Sequence, residues 1–156
     1  MKRFAWCAVL FILLGAGSAF AGDKEKIVLL PVSGPLTAAE KGQLEKKLAA
    51  GLGKRYAVIA GPQVEEALRK ALQEENQKAI CDLEGCYVKI AGQFKAELIA
   101  AFLLAPRMDG SINVTFRVMN VVENREVYSR SADCAACTVS KLIGLGESLL
   151  QGMDKK

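Results

Sequence analysis

Between Lys26 and Leu104 short apolar runs alternate with longer stretches of helical period, a pattern that suits a sheet covered by helices. KIVLLPV (Lys26 to Val32) is apolar on both alternating faces, which predicts a strand buried on both sides. Pro31 sits near its end, where a lost amide donor is tolerable, and Ser33-Gly34-Pro35 breaks it. Thr37 and Glu40 have capping-box spacing, so a helix is expected from there to about Leu52. Leu44, Leu48 and Leu52 form its apolar row, Lys41, Glu45, Lys46 and Lys47 face water, and Gly51 and Gly53 mark its end. YAVIA (Tyr56 to Ala60) is the second strand. Gly61-Pro62 then places a proline at the start of a second helix, whose stripe is Val64, Leu68 and Leu72 flanked by Ala67 and Ala71.

A break at Cys81-Asp82 opens a third helix, with Asp82 as N-cap and Leu83, Tyr87, Ile90, Ala91 and Phe94 turned inward. ELIAAFLL (Glu97 to Leu104) is the third strand, and Met108-Asp109-Gly110 supplies hairpin chemistry. Ile112, Val114, Phe116 and Val118 alternate with Asn113, Thr115, Arg117 and Met119, which predicts a strand with one face in the core and one toward solvent. Glu123-Asn124 makes the next turn. Arg125 to Ser131 reads as a shorter fifth strand, with Val127 its clearest core residue. After Cys134 to Cys137, Val139, Leu142, Ile143, Leu149 and Leu150 mark a last amphipathic helix. The order β-α-β-α-α-β-β-β-α predicts a single α/β domain with a mixed sheet covered by helices. Neither GxGxxG nor GxxxxGK[ST] follows the first strand, so the nucleotide-binding motifs are absent.

The first 21 residues read as a secretory leader: Lys2 and Arg3, an apolar core from Phe4 to Leu14, and a small-x-small site at Ala19-Phe20-Ala21. Gly15, Gly17 and Ser18 interrupt that core before the roughly 20 residues a membrane span needs. Cleavage is expected after Ala21, and Cys7, inside the apolar core, is not placed for lipid attachment. The 156 residues less these 21 leave 135, from Gly22 to Lys156, enough for one domain. With Lys2 and Arg3 gone, 19 of the 21 basic residues stand against 17 acidic ones. That balance gives no electrostatic reason to expect nucleic acid or an acidic membrane as partner, and no later apolar run is long enough to span one.

Histidine is absent, which removes Ser-His-Asp and Cys-His nucleophiles, His-ligated zinc and haem attachment. Acid and base work falls to carboxylates, Lys, Tyr or Cys. Ser33, Ser129 and Ser131 have no evident base, and Glu74-Glu75 and Lys46-Lys47 read as solvated helix faces. No catalytic residue, cofactor or metal is therefore assigned. Four cysteines follow the leader, Cys81, Cys86, Cys134 and Cys137, and export makes disulfides their expected state. Three pairings exist in principle; proximity favours Cys81 with Cys86 and Cys134 with Cys137, each local loop contributing about 2 kcal/mol. Two other chemistries fit the same residues. Cys134-Ala135-Ala136-Cys137 is a CxxC before a helix, as a thiol-disulfide oxidoreductase requires, but it follows the last strand and has no neighbouring aromatic. The four cysteines also have zinc-site spacing, which an oxidising compartment disfavours.

The pattern resembles the α/β domain shared by the N-terminal part of TolB, CsgG and LpoB. KIVLLPV, a helix and then YAVIAGPQVEEAL follow that organisation, CDLEGCYVKIAGQFKAELIAAFLL is similar to its Cys-opened helix leading into a strand, and INVTFRVMNVVENREVYS to its closing hairpin. The resemblance implies a non-catalytic module that docks on other envelope proteins, acting in the periplasm. It departs from the group in having no lipid-attachment cysteine, barrel-forming segment or β-propeller, so channel formation is not implied. The partner surface is expected on the wet face of Ile112 to Val122 or on an unprotected sheet edge.

Overall fold

The computed structural model describes residues 24–75 and 83–155. The leader, Cys81 and the Asp82 cap lie outside the described residues. Five strands form one mixed sheet in the order β2-β1-β3-β4-β5: β1 (Lys26–Leu29), β2 (Ala57–Ile59), β3 (Leu98–Pro106), β4 (Ile112–Asn120) and β5 (Arg125–Cys134). β1 runs parallel to β2 and β3, whereas β3, β4 and β5 form an antiparallel meander. The helices are α1 (Ala38–Leu52), α2 (Pro62–Glu75), α3 (Leu83–Phe94) and α4 (Val139–Gln151), and a 3-10 turn, Gly152–Lys155, ends the described chain. This is the expected order of elements in one α/β domain.

Alternation along the central strands divides the core in two. Ile27 and Leu29 of β1, with Ala100 and Phe102 of β3, face Leu44, Leu48 and Leu52 of α1 and Leu142, Leu149 and Leu150 of α4. Val28 and Leu30, with Ile99 and Ala101, face Val64, Ala67 and Ala71 of α2 and Cys86, Ile90 and Ala91 of α3. β1 is thus buried on both faces, as its unbroken apolar run requires. On the α1–α4 face, Phe116 stacks obliquely between Phe102 and Tyr128, with ring centroids 6.4 and 6.0 Å away. α1 and α4 approach closely because glycines stand at their contacts: a Cβ on Gly51 would lie 2.6 Å from a Leu150 methyl, and one on Gly146 3.0 Å from a Leu48 methyl.

Local signals set most boundaries. Thr37 caps α1 in a complete capping box, and its hydroxyl and amide, both bonded to the Glu40 carboxylate, hold Glu40 below the usual carboxylate range. Asp109 accepts from the Ser111 hydroxyl and amide in the β3–β4 turn, and Asn124 takes positive φ in the β4–β5 turn. Thr138, not read as a cap from the sequence, caps α4.

Three expectations are corrected. Glu45 does not simply face water: it is half-buried, and its carboxylate accepts the Val32 amide at 2.8 Å where Pro31 has disturbed the strand. β5 is ten residues long and runs to Cys134, where a shorter strand ending at Ser131 was expected. Its buried residue near the start is Tyr128, with Val127 only partly buried, because a bulge opposite Val118 and Met119 resets the alternation. The Tyr128 hydroxyl donates to the Leu149 carbonyl at 2.5 Å and ties β5 to the end of α4.

The Glu45 contact makes the first prediction. Glu45→Ala strands a partly buried amide and is expected to cost about 1 kcal/mol, a fall of a few degrees in Tm, whereas Glu45→Gln keeps an acceptor and most of the stability. Thermal melts of the two variants check it, and equal melting points would mean that water replaces the carboxylate.

Candidate docking face

The four helices cover the sheet unevenly. On the α1–α4 side the core extends across β4 and β5 through Val114, Phe116, Val118, Tyr128 and Cys134. On the other side the core under α2 and α3 draws its strand residues from β1 and β3, with Val121 at its margin. The outward residues of β4 and β5 lie beyond it. Strand register places Asn113 opposite Asp133, Thr115 opposite Ser131, and Arg117 opposite Ser129. Ser129, Ser131 and Asp133 are exposed, and Asn113, Thr115, Arg117 and Met119 are half-exposed.

These side chains form a polar platform with its own bonding. Asn113 donates to Asp133 at 2.7 Å, Thr115 donates to Asn113 at 3.1 Å, and Thr115 and Ser131 share a hydrogen bond at 2.8 Å. Arg107 pairs with Asp133 at 3.2 Å. At the margin nearest α3, Arg117 donates to the Tyr87 hydroxyl at 3.4 Å, while its Nε is buried with no hydrogen-bond partner. The expected wet face of Ile112 to Val122 is therefore a coherent surface shared with β5. The expected edge also exists, since β5 borders the sheet, but Arg125, Glu126, Arg130 and Asp133 place charges along it, a pattern that discourages strand addition.

Cys134 and Cys137 form a disulfide, with Cα atoms 5.5 Å apart. It joins the end of β5 to the approach of α4 across a turn in which Ala136 has positive φ and Lys141 Nζ caps the Ala135 and Ala136 carbonyls. Cys134 is 4% exposed and packs in the α1–α4 core, and Cys137 precedes the Thr138 cap instead of standing in the first helical turn. The leading sulfur, on Cys134, therefore lacks the accessible setting of a reactive thiol. A four-cysteine zinc site needs four thiolates, and this bond removes two of them. Cys86 is fully buried on the inner face of α3 with Ile90; the sequence reading missed it there, although the four-residue spacing between them was the available signal.

Among the described residues, two other carboxylates are held in local contacts. Hydrogen bonds from Arg69 hold Glu66 below the usual carboxylate range, and those from Ser111 do the same for Asp109, but these are a helix-surface pair and a turn. Among the described residues no three Cys, Asp or Glu side chains converge as a metal site, and no helix is long and apolar enough to cross a membrane. A cleft of about 360 Å³ lies between the ends of α1 and α4, with Tyr56, Leu150 and Met153 in its wall and Lys47, Lys54 and Arg55 around it. Cations suit a helix C-terminus, and Lys24 shows the effect directly by donating to the Gly53 carbonyl at 2.7 Å. Glu74, expected as part of a solvated face, pairs with Lys89 at 2.8 Å and links α2 to α3.

No protein-family profile matches the chain, and no curated protein matches its sequence. Solved structures resemble it in part of their chain path. The LpoB C-terminal domain from Salmonella enterica is 13% identical, over 72% of this chain and 83% of that one, with a TM-score of 0.48. A lipoprotein from Neisseria meningitidis is 15% identical, over 84% and 97%, also at 0.48. TolB from Acinetobacter baumannii is 9% identical, over 85% of this chain but 28% of TolB, again at 0.48. These are likenesses of chain path, and chain path alone does not set function.

Proposed function

We propose that this chain is an exported, non-catalytic interaction module of the bacterial cell envelope, which docks a protein partner on the open face of β4 and β5. The observation that carries the reading is the asymmetry of the sheet: among the described residues one side is covered across all its long strands, while the other leaves an ordered polar platform uncovered. Such a platform offers hydrogen-bonding groups held on rigid strands, which suits recognition better than turnover. Export follows from the leader, with cleavage after Ala21 and release into the periplasm, and the Cys134–Cys137 bond fits an oxidising compartment. Pairing of Cys81 with Cys86, and kinship with CsgG beside LpoB and TolB, belong to the same reading.

The test is binding with and without an obstructed face. Ser131→Arg adds bulk and charge to an exposed platform position and is expected to leave the melting temperature unchanged. Tagged wild type should recover a specific cross-linked protein from envelope extract, and the variant should lose it. Equal recovery by both proteins would move the interface elsewhere. An insulin-reduction assay separates the oxidoreductase alternative, since turnover that depends on Cys134 and Cys137 would replace the docking reading.

A further inference from the structure

We propose that Arg117 is the anchor of the open face and that it receives a carboxylate from an acidic segment of the partner protein; this rests on the docking reading above. The register surrounds Arg117 with neutral groups. Ala101 on β3 and Ser129 on β5 lie opposite it, Thr115 and Met119 flank it along β4, and Tyr87 reaches it from α3. Among the described residues it makes no ion pair. Asp133 is two rungs away, about 14 Å along the strands, and is engaged by Arg107 and Asn113. Glu126, the remaining carboxylate on these strands near it, stands opposite Met119 across the bulge and is exposed.

A half-buried guanidinium with no carboxylate beside it among the described residues, and no protein acceptor for its Nε, is costly to keep in a free domain. The buried Nε is out of an arriving carboxylate's reach, so the acid meets the guanidinium at its outer nitrogens, whose fork takes two oxygens at once, and the neighbouring hydroxyls of Ser129, Thr115 and Ser131 can donate to the same group. Arginine set among small neutral residues at the centre of a patch is also the usual form of an interface hot spot. The surroundings select protein over membrane as the source of the anion. A lipid surface needs several unpaired cations acting together, and here Arg107 is already paired with Asp133, which leaves Arg117 as the platform's one cation without a carboxylate among the described residues.

Two measurements on the exported chain test the assignment. First, Arg117→Met removes the charge at similar length, and its melting temperature should equal or exceed that of wild type; a clear fall would make Arg117 a structural residue and overturn the proposal. Second, a random peptide library panned on wild type should yield Asp- or Glu-containing binders displaced by Ser131→Arg, and these should bind Arg117→Met about tenfold or more weakly. Binders displaced by Ser131→Arg but indifferent to Arg117 would overturn the anchor and leave the docking face standing. Absence of any binder at the face would remove both. Arg117-dependent sedimentation with phosphatidylglycerol vesicles would assign the anion to lipid and also overturn the proposal.

Discussion

Gly34→Ala is expected to cost about 3 kcal/mol, a fall near 10 °C in Tm. Two independent causes add. Gly34 has φ +136°, a conformation side chains resist, and an added Cβ would lie 2.5 Å from the Leu104 Cβ and 2.8 Å from its carbonyl oxygen. The contact cannot relax cheaply because it is largely with backbone. Leu104 donates its amide to the Ser33 carbonyl at 3.0 Å, so the chain after β1 is bound to β3 just where the substitution would push them apart. Calorimetry of the variant checks this, and a melting point within about 2 °C of wild type, less than 1 kcal/mol on the scale of about 3 °C per kcal/mol, would contradict it.

The second large effect is expected from the disulfide. Cys134→Ala with Cys137→Ala should lose about 2 kcal/mol, the loop-closure value for a four-residue ring, and reduction of wild type by dithiothreitol should produce a similar shift. The bond holds the chain between the longest strand and the helix that covers the α1–α4 face, so its loss should loosen the start of α4 first. Hydrogen exchange should show early protection loss at Leu142, whose amide bonds to the Thr138 carbonyl at 3.0 Å. Binding at the platform should survive at temperatures where the variant is folded, because the platform lies on the opposite sheet face. A variant as stable as wild type would deny the bond its structural role.

How far the sequence discloses this molecule depends on the range of the interaction concerned. The capping box at Thr37, the Leu44–Leu48–Leu52 row and the β4 alternation are local, and each appears where the residues place it. Glu45 and Tyr128 depart from expectation through long-range causes. Glu45 is turned inward by an amide thirteen residues earlier, and Tyr128 by a bulge that no residue of β5 announces. The docking face is an intermediate case. Its polar residues on β4 are legible as a wet strand face, but whether a helix covers that face depends on where α2 and α3 settle, and both settle over β1 and β3. The isolation of Arg117 is less legible still, because it follows from cross-strand neighbours, Ala101 and Ser129, sixteen and twelve residues away in sequence.

The partner is expected to land on the side of β4 and β5 that α2 and α3 leave uncovered. A photo-reactive amino acid placed at Ser131 in the exported protein, and separately at Gln43 on the exposed side of α1, measures this in living cells. A discrete adduct with one envelope protein from position 131, and none from position 43, is the predicted result. Adducts from position 43 alone would place the partner on the opposite side of the sheet and contradict the account.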